Sequence, residues 1–200
     1  MIRTPIVPQL KSLCIFCGSQ IGNNPEFLRA AESLGRALAV NGTTLVFGGG
    51  RVGLMGAAAD AALKGGGSVL GVIPKFLKDK ELAHSGLTEM IVVPDMHTRK
   101  RVMFERSDAF CVLPGGVGTL EEMFEIVSWR QLHRHNKPII VLNTAGYWSN
   151  LLGLLDQIIA ADFAHKGHES LVTVVDKAED VAQTAEAELA NPKPPVLFTS

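Results

Sequence analysis

The stretch CVLPGGVGTLEE, residues 111–122, closes an apolar run with three glycines, a threonine and two carboxylates. A run of this kind ends a strand, turns the chain closely around something and starts a helix. Gly115, Gly116 and Gly118 expose backbone N–H groups at a helix start, where a phosphate or another anion is readily held. Thr119 and Glu122 have the Thr-x-x-Glu spacing of a capping box, in which the threonine accepts from one free helix donor and the glutamate reaches back to another. The same glutamate is a candidate for acid/base work, or for stabilising positive charge that develops in a pocket. Glu121 beside it competes for that assignment, and spacing alone leaves these readings open.

Two other loops carry residues of the same character. CGSQ (residues 17–20) offers Gly18 and Ser19, and GGGRVGLMG (residues 48–56) gathers five glycines, Gly49 and Gly50 among them, around one arginine. That loop lacks the GKS or GKT of a nucleoside-triphosphate P-loop, and its glycines are not spaced as in an ordinary dinucleotide fingerprint. The cation comes from MHTRKRVMFERSDAF, where Arg99, Lys100 and Arg101 are followed by Arg106. Such charges usually mark a solvated helical face, but a guanidinium facing a pocket clamps an anion through paired hydrogen bonds. His97, His133, His135, His165 and His168 show no metal-binding spacing, so no metal site is expected. No lysine among Lys64, Lys75, Lys78 and Lys100 is singled out for a Schiff base with pyridoxal phosphate, so no cofactor is expected.

The elements that must position these loops alternate along the chain. Apolar runs at 12–18, 43–50, 68–74, 88–94, 108–114, 137–143 and 170–176 read as strands bounded by glycine, proline or polar residues. Helical patterns occupy 24–42, 53–67, 97–107, 119–135, 149–164 and 177–190. In the helix from 119, Leu120, Met123, Phe124, Val127 and Leu132 recur every three to four residues and mark the expected buried face. Strands separated by helices predict an α/β fold with a mostly parallel sheet of about seven strands, flanked by helices on both faces. In such open sheets ligands sit beyond the carboxyl ends of the strands, where the three loops fall.

Composition narrows the function. The 200 residues carry 19 Lys+Arg against 20 Asp+Glu, which gives no support to nucleic-acid or membrane-surface binding. One domain over 1–200 is expected, with 1–10 and 190–200 as terminal extensions. Cys14, Cys17 and Cys111 lie in or beside apolar runs, and the CIFC spacing reads as buried thiols better than as a redox or metal half-site. MIRTPIVPQLK has no long apolar core, so neither a signal peptide nor a membrane span is expected and the protein is placed in the cytoplasm.

Taken together, GGGRVGLMG, MHTRK and PGGVGTLEE resemble the LOG ("lonely guy") family of cytokinin-activating phosphoribohydrolases, long mislabelled as lysine decarboxylases. FCGS near the start, Glu81 in the intervening loop and SWRQLHRHNKPIIVLNTAGYW extend the likeness over about residues 11–175. The resemblance implies a Rossmann-like fold, a homodimer and hydrolysis of the N-glycosidic bond of a nucleoside 5′-monophosphate, either a cytokinin riboside monophosphate or AMP. It implies Arg99 and Glu122 as the catalytic pair. Gly18, Ser19, Gly49, Gly50, Glu81, Lys100, Gly115, Gly116, Val117, Gly118, Thr119 and Glu121 are the expected substrate-binding residues. Val117 stands where many relatives carry tyrosine. The competing reading is a non-catalytic nucleotide- or cofactor-binding carrier, since molybdenum-cofactor carriers have a related architecture.

Overall fold

A computed structural model of the protein describes residues 9–79, 82–164 and 167–193. The strands are β1 (Ser12–Phe16), β2 (Thr44–Phe47), β3 (Val69–Pro74), β4 (Glu89–Val93), β5 (Ala109–Val112), β6 (Ile139–Leu142) and β7 (Thr173–Val175). All seven join one sheet in the order β4-β3-β2-β1-β5-β6-β7, with every pairing parallel. The helices are α1 (Pro25–Asn41), α2 (Gly53–Lys64), α3 (Lys75–Lys78), α4 (Met96–Glu105), α5 (Val117–Gln131), α6 (Ser149–Ala160) and α7 (Asp180–Ala190). The one-turn helix α3 has no counterpart in the sequence reading, because four residues are too few to show a period.

Period-two alternation sorts the strand side chains between two faces. Leu13, Ile15, Leu45 and Phe47 pack with Leu34 and Leu38 of α1, Ala58 and Ala62 of α2, and Val181 and Ala185 of α7. Cys14, Phe16, Val46 and Val112 face the other way, towards Met103 of α4 and Met123 and Ile126 of α5. Cys14 and Cys17 thus belong to clusters on opposite faces, and all three cysteines are buried and unbridged. Leu10, expected in the terminal extension, is instead fully buried, and its carbonyl accepts from Thr43 Oγ1 at 2.8 Å.

Order along the sheet decides where a ligand can sit. The chain runs outward from β1 to β4 and then crosses back to lay β5 on the other side of β1. Helix α1 leaves β1 towards one face and α5 leaves β5 towards the other, so the loops after β1 and β5 open a crevice between them. The two loops are tied across it, Gly18 N–H donating to the Pro114 carbonyl at 3.0 Å.

Helix α5 differs from expectation in two ways. It begins at Val117 with Gly116 as N-cap and has no side-chain cap, so Thr119 and Glu122 do not form the capping box. Its buried residues are Thr119, Met123, Ile126 and Arg130, whereas Phe124 and Leu132 are exposed. Met123, Leu120 and Val127 pack on the core as their spacing suggests, but apolar spacing could not mark Thr119 and Arg130, which are polar.

Candidate active site

Helix α4 sets the cation. Asp95 caps it, its carboxylate accepting from Thr98 N–H at 2.7 Å, and one turn later Arg99 points into the protein and is only 9 % exposed. Its guanidinium is held by backbone carbonyls: Nε donates to Val72 at 3.2 Å and Nη2 to Gly48 at 3.3 Å. Nη1 lies 3.7 Å from Met96 Sδ and 4.0 Å from Glu122 Oε1. Gly48 makes this seat possible, since a Cβ there would fall 1.6 Å from Nη2. The glycine run after β2 is therefore, at its first residue, the space that a buried arginine fills.

Helix α5 sets the anion. Glu122 lies three residues beyond Thr119 and four before Ile126, on the buried side of the helix. Burial raises its carboxyl to about pKa 7; Arg99 opposes that shift, Glu121 adds to it, Lys100 opposes it and Glu125 adds to it. Glu121 sits half-exposed at the rim and pairs with Lys100 Nζ at 2.5 Å, which also reaches Glu125 at 3.0 Å. The two carboxylates that the sequence left equivalent are thereby separated by orientation.

These groups share a cleft of about 310 Å³ at the crevice. Gly18 and Ser19 after β1, Arg99, Gly116, Val117, Gly118, Thr119, Glu121 and Glu122 line it. A second depression of about 390 Å³ adjoins it across Gly18, Ser19 and Gly116, and Gly115 with Phe27 and Tyr147 lies on that side. Gly115 packs under the first turn of α5, where a Cβ would meet Thr119 Oγ1 at 2.2 Å. Besides Gly115, three expected residues among those described do not line the cleft. Gly49 and Gly50 are buried behind it, with Gly49 packed on Ile73 and Met90, and Lys100 staples α4 to α5. Glu81 lies outside the described residues. Among the described residues, no group of three or more His, Cys, Asp or Glu side chains is placed to hold a metal ion.

A buried carboxyl titrating near neutrality, a fixed guanidinium and an uncapped helix start in one cleft suit an anionic ligand whose reaction moves positive charge. Comparison with known proteins gives the lineage. A family model described as "possible lysine decarboxylase" matches residues 55–185, which include Arg99 and Glu122. A cytokinin riboside 5′-monophosphate phosphoribohydrolase of Rhodococcoides fascians is 47 % identical over 173 residues, spanning 86 % of this chain and 87 % of that one. A probable enzyme of the same name from Oryza sativa subsp. japonica is 44 % identical over 172 residues, 86 % of this chain and 75 % of its own. The chain belongs to the LOG family. Among solved structures, the molybdenum cofactor binding protein of Rippkaea orientalis superposes with a TM-score of 0.67 over 90 % of this chain and 98 % of its own, at 23 % identity. That likeness is one of fold.

Set beside its family, this LOG chain shows which site features its sequence concealed. Met55 and Met96, which lie within GGGRVGLMG and MHTRK but were given no role there, form an apolar part of the cleft wall. Cys17 lines the cleft, but burial holds its thiol far above the ordinary value, so it stays protonated. Val117 is 83 % exposed at the rim.

The raised pKa of Glu122 has a measurable sign. The folded carboxyl prefers its proton more than the unfolded one, whose ordinary value is 4.5, so this preference stabilises the fold fully below about pH 4.5 and is lost as pH rises through about 7. Urea unfolding of wild type and Glu122→Gln at pH 5 and pH 8 is expected to show wild type losing about 1–3 kcal/mol relative to the variant at the higher pH. Parallel behaviour at both pH values would mean that Glu122 titrates like an exposed carboxylate.

Proposed function

We propose that this protein hydrolyses the N-glycosidic bond of a nucleoside 5′-monophosphate, a cytokinin riboside monophosphate or AMP, to the free base and ribose 5-phosphate. The observation that carries the reading is Glu122, buried 4.0 Å from Arg99 and one turn inside the uncapped start of α5. As the C1′–N bond breaks, positive charge develops on the ribose, and ionised Glu122 stabilises it at short range in a poorly solvated cleft. Water adds its oxygen to C1′ and gives a proton to Glu122, the departing base takes one proton from solvent, and Glu122 returns its proton to solvent, so the carboxylate is restored and atoms and charge balance. A pKa of about 7 leaves the carboxyl able to serve in either protonation state near neutral pH. Arg99, fastened by Val72 and Gly48, keeps Glu122 oriented.

Free N–H groups in the first turn of α5 supply the 5′-phosphate seat, reinforced by Ser19 across the crevice. Met55 and Met96 adapt to a flat base or to its apolar substituent. Among the described residues, no lysine lines the cleft. The carrier reading is supported only by likeness of fold.

The same proposal includes a homodimer and a cytoplasmic setting. Helix α6 presents Leu152, Leu155 and Ile159 to an open groove of about 420 Å³, faced by Phe124 and Val127 of α5, and none of its residues is fully buried within the chain. A second copy covering this face removes its apolar area from water. Three unbridged thiols suit a reducing compartment, and among the described residues no helix is long and apolar enough to cross a membrane.

Purified protein incubated with AMP or isopentenyladenosine monophosphate is expected to release base and ribose 5-phosphate in equal amounts. Glu122→Gln is expected to lower kcat by about 10²–10⁴-fold with KM changed only a few-fold. No product from either nucleotide, or equal loss of binding and turnover in the variant, would remove the reading. In sedimentation equilibrium the chain should weigh twice its 21.4 kDa, and Ile159→Glu should return it to a monomer; a monomeric wild type would rule out the dimer.

A further inference from the structure

Gly115 and Gly116 form the bend that leads from β5 into α5, and neither carries a side chain that could hold its own orientation. A phosphate seat built from backbone N–H groups works only if those groups are already aimed. Two glycines in succession leave the peptide between them free to rotate, so any aim must be imposed from neighbouring elements.

Three such restraints are present. Gly18 N–H holds the Pro114 carbonyl at 3.0 Å, Thr119 packs on Gly115, and the phenol of Tyr147 donates to the Gly115 carbonyl at 2.6 Å. Tyr147 is itself held in place. Its ring packs edge-on against Phe27 at 5.2 Å and against Trp148 at 4.7 Å, and the Trp148 N–H is tied to Asn143 Oδ1 at 2.8 Å. The turn that delivers it places Ala145 at φ 53° and Gly146 at φ 70°, a left-handed pair that an alanine adopts only under constraint. No peptide among the described residues is cis, so a carbonyl turned to Tyr147 sends the Gly116 N–H in the opposite direction. Gly116 also lines the cleft that holds Arg99 and Glu122.

We propose that Tyr147 is a positioning residue for the phosphate seat: its hydroxyl, by holding the Gly115 carbonyl, aims the Gly116 N–H and the first turn of α5 at the substrate's phosphate. The role rests on the nucleoside monophosphate reading above. It predicts an effect on ground-state phosphate binding and little on bond cleavage, which Glu122 performs.

Tyr147→Phe tests this, because it keeps the ring and removes only the donor. Steady-state kinetics with AMP should show KM rising roughly tenfold with kcat changed less than about threefold. Calorimetric titration with ribose 5-phosphate should show Kd weakened roughly tenfold as well. An unchanged KM and Kd, or a fall in kcat at constant KM, would overturn the assignment and leave Tyr147 a packing residue. If wild type binds ribose 5-phosphate but cleaves no nucleotide, the hydrolase reading fails while the Kd shift still decides the role of Tyr147. Failure of wild type to bind ribose 5-phosphate would overturn the seat and its positioning residue together.

Discussion

A guanidinium and a carboxyl group are buried together at the crevice, 4.0 Å apart, and the surrounding backbone is arranged to permit it. Neither charge could be taken from water alone without a large cost in free energy. For Arg99 the offset comes from two main-chain carbonyls, that of Val72 within β3 and that of Gly48 just past β2, which accept from its Nε and Nη2. For Glu122 it is incomplete, and the carboxyl holds its proton up to about pH 7. The arrangement favours a reaction that brings positive charge beside that carboxyl.

Several features that look separate follow from this one requirement. Gly48 must lack a side chain because Arg99 occupies its place, and β2 must end there for its carbonyl to turn inward. Lys100, next to Arg99 on α4, binds Glu121 and Glu125 on the outer side of α5 and so fixes the two helices that carry the pair. The parallel order of the sheet sets β1 beside β5 where the chain reverses direction, which brings the glycine loops after both strands to the same crevice. The phosphate seat and the charge pair are consequently one turn of helix apart.

Much of this is legible in the sequence. Apolar runs broken by glycine and proline located all seven strands, and the alternation with helices foretold parallel pairing, which proved complete. The contents of the cleft were legible because arginine, glutamate and clustered glycines have few structural reasons to recur at strand ends. Orientation was not. The buried face of α5 runs through Thr119 and Arg130, so apolar periodicity rotated the helix towards Phe124 and gave no basis for separating Glu121 from Glu122. The packing role of Gly49 and the paired state of Lys100 depend on residues far away in sequence, Met90 and Glu125 among them, and no local signal reports them.

The environment of Glu122 decides the chemistry of the site, and its side-chain carboxyl can be titrated directly. In protein carrying 13C-labelled glutamate, with Glu122→Gln used to assign the resonance, the carboxyl carbon of Glu122 is predicted to titrate at about pH 7. A midpoint near the ordinary 4.5 would show that Glu122 is solvated and freely ionised, contradicting a buried pair at the centre of the site.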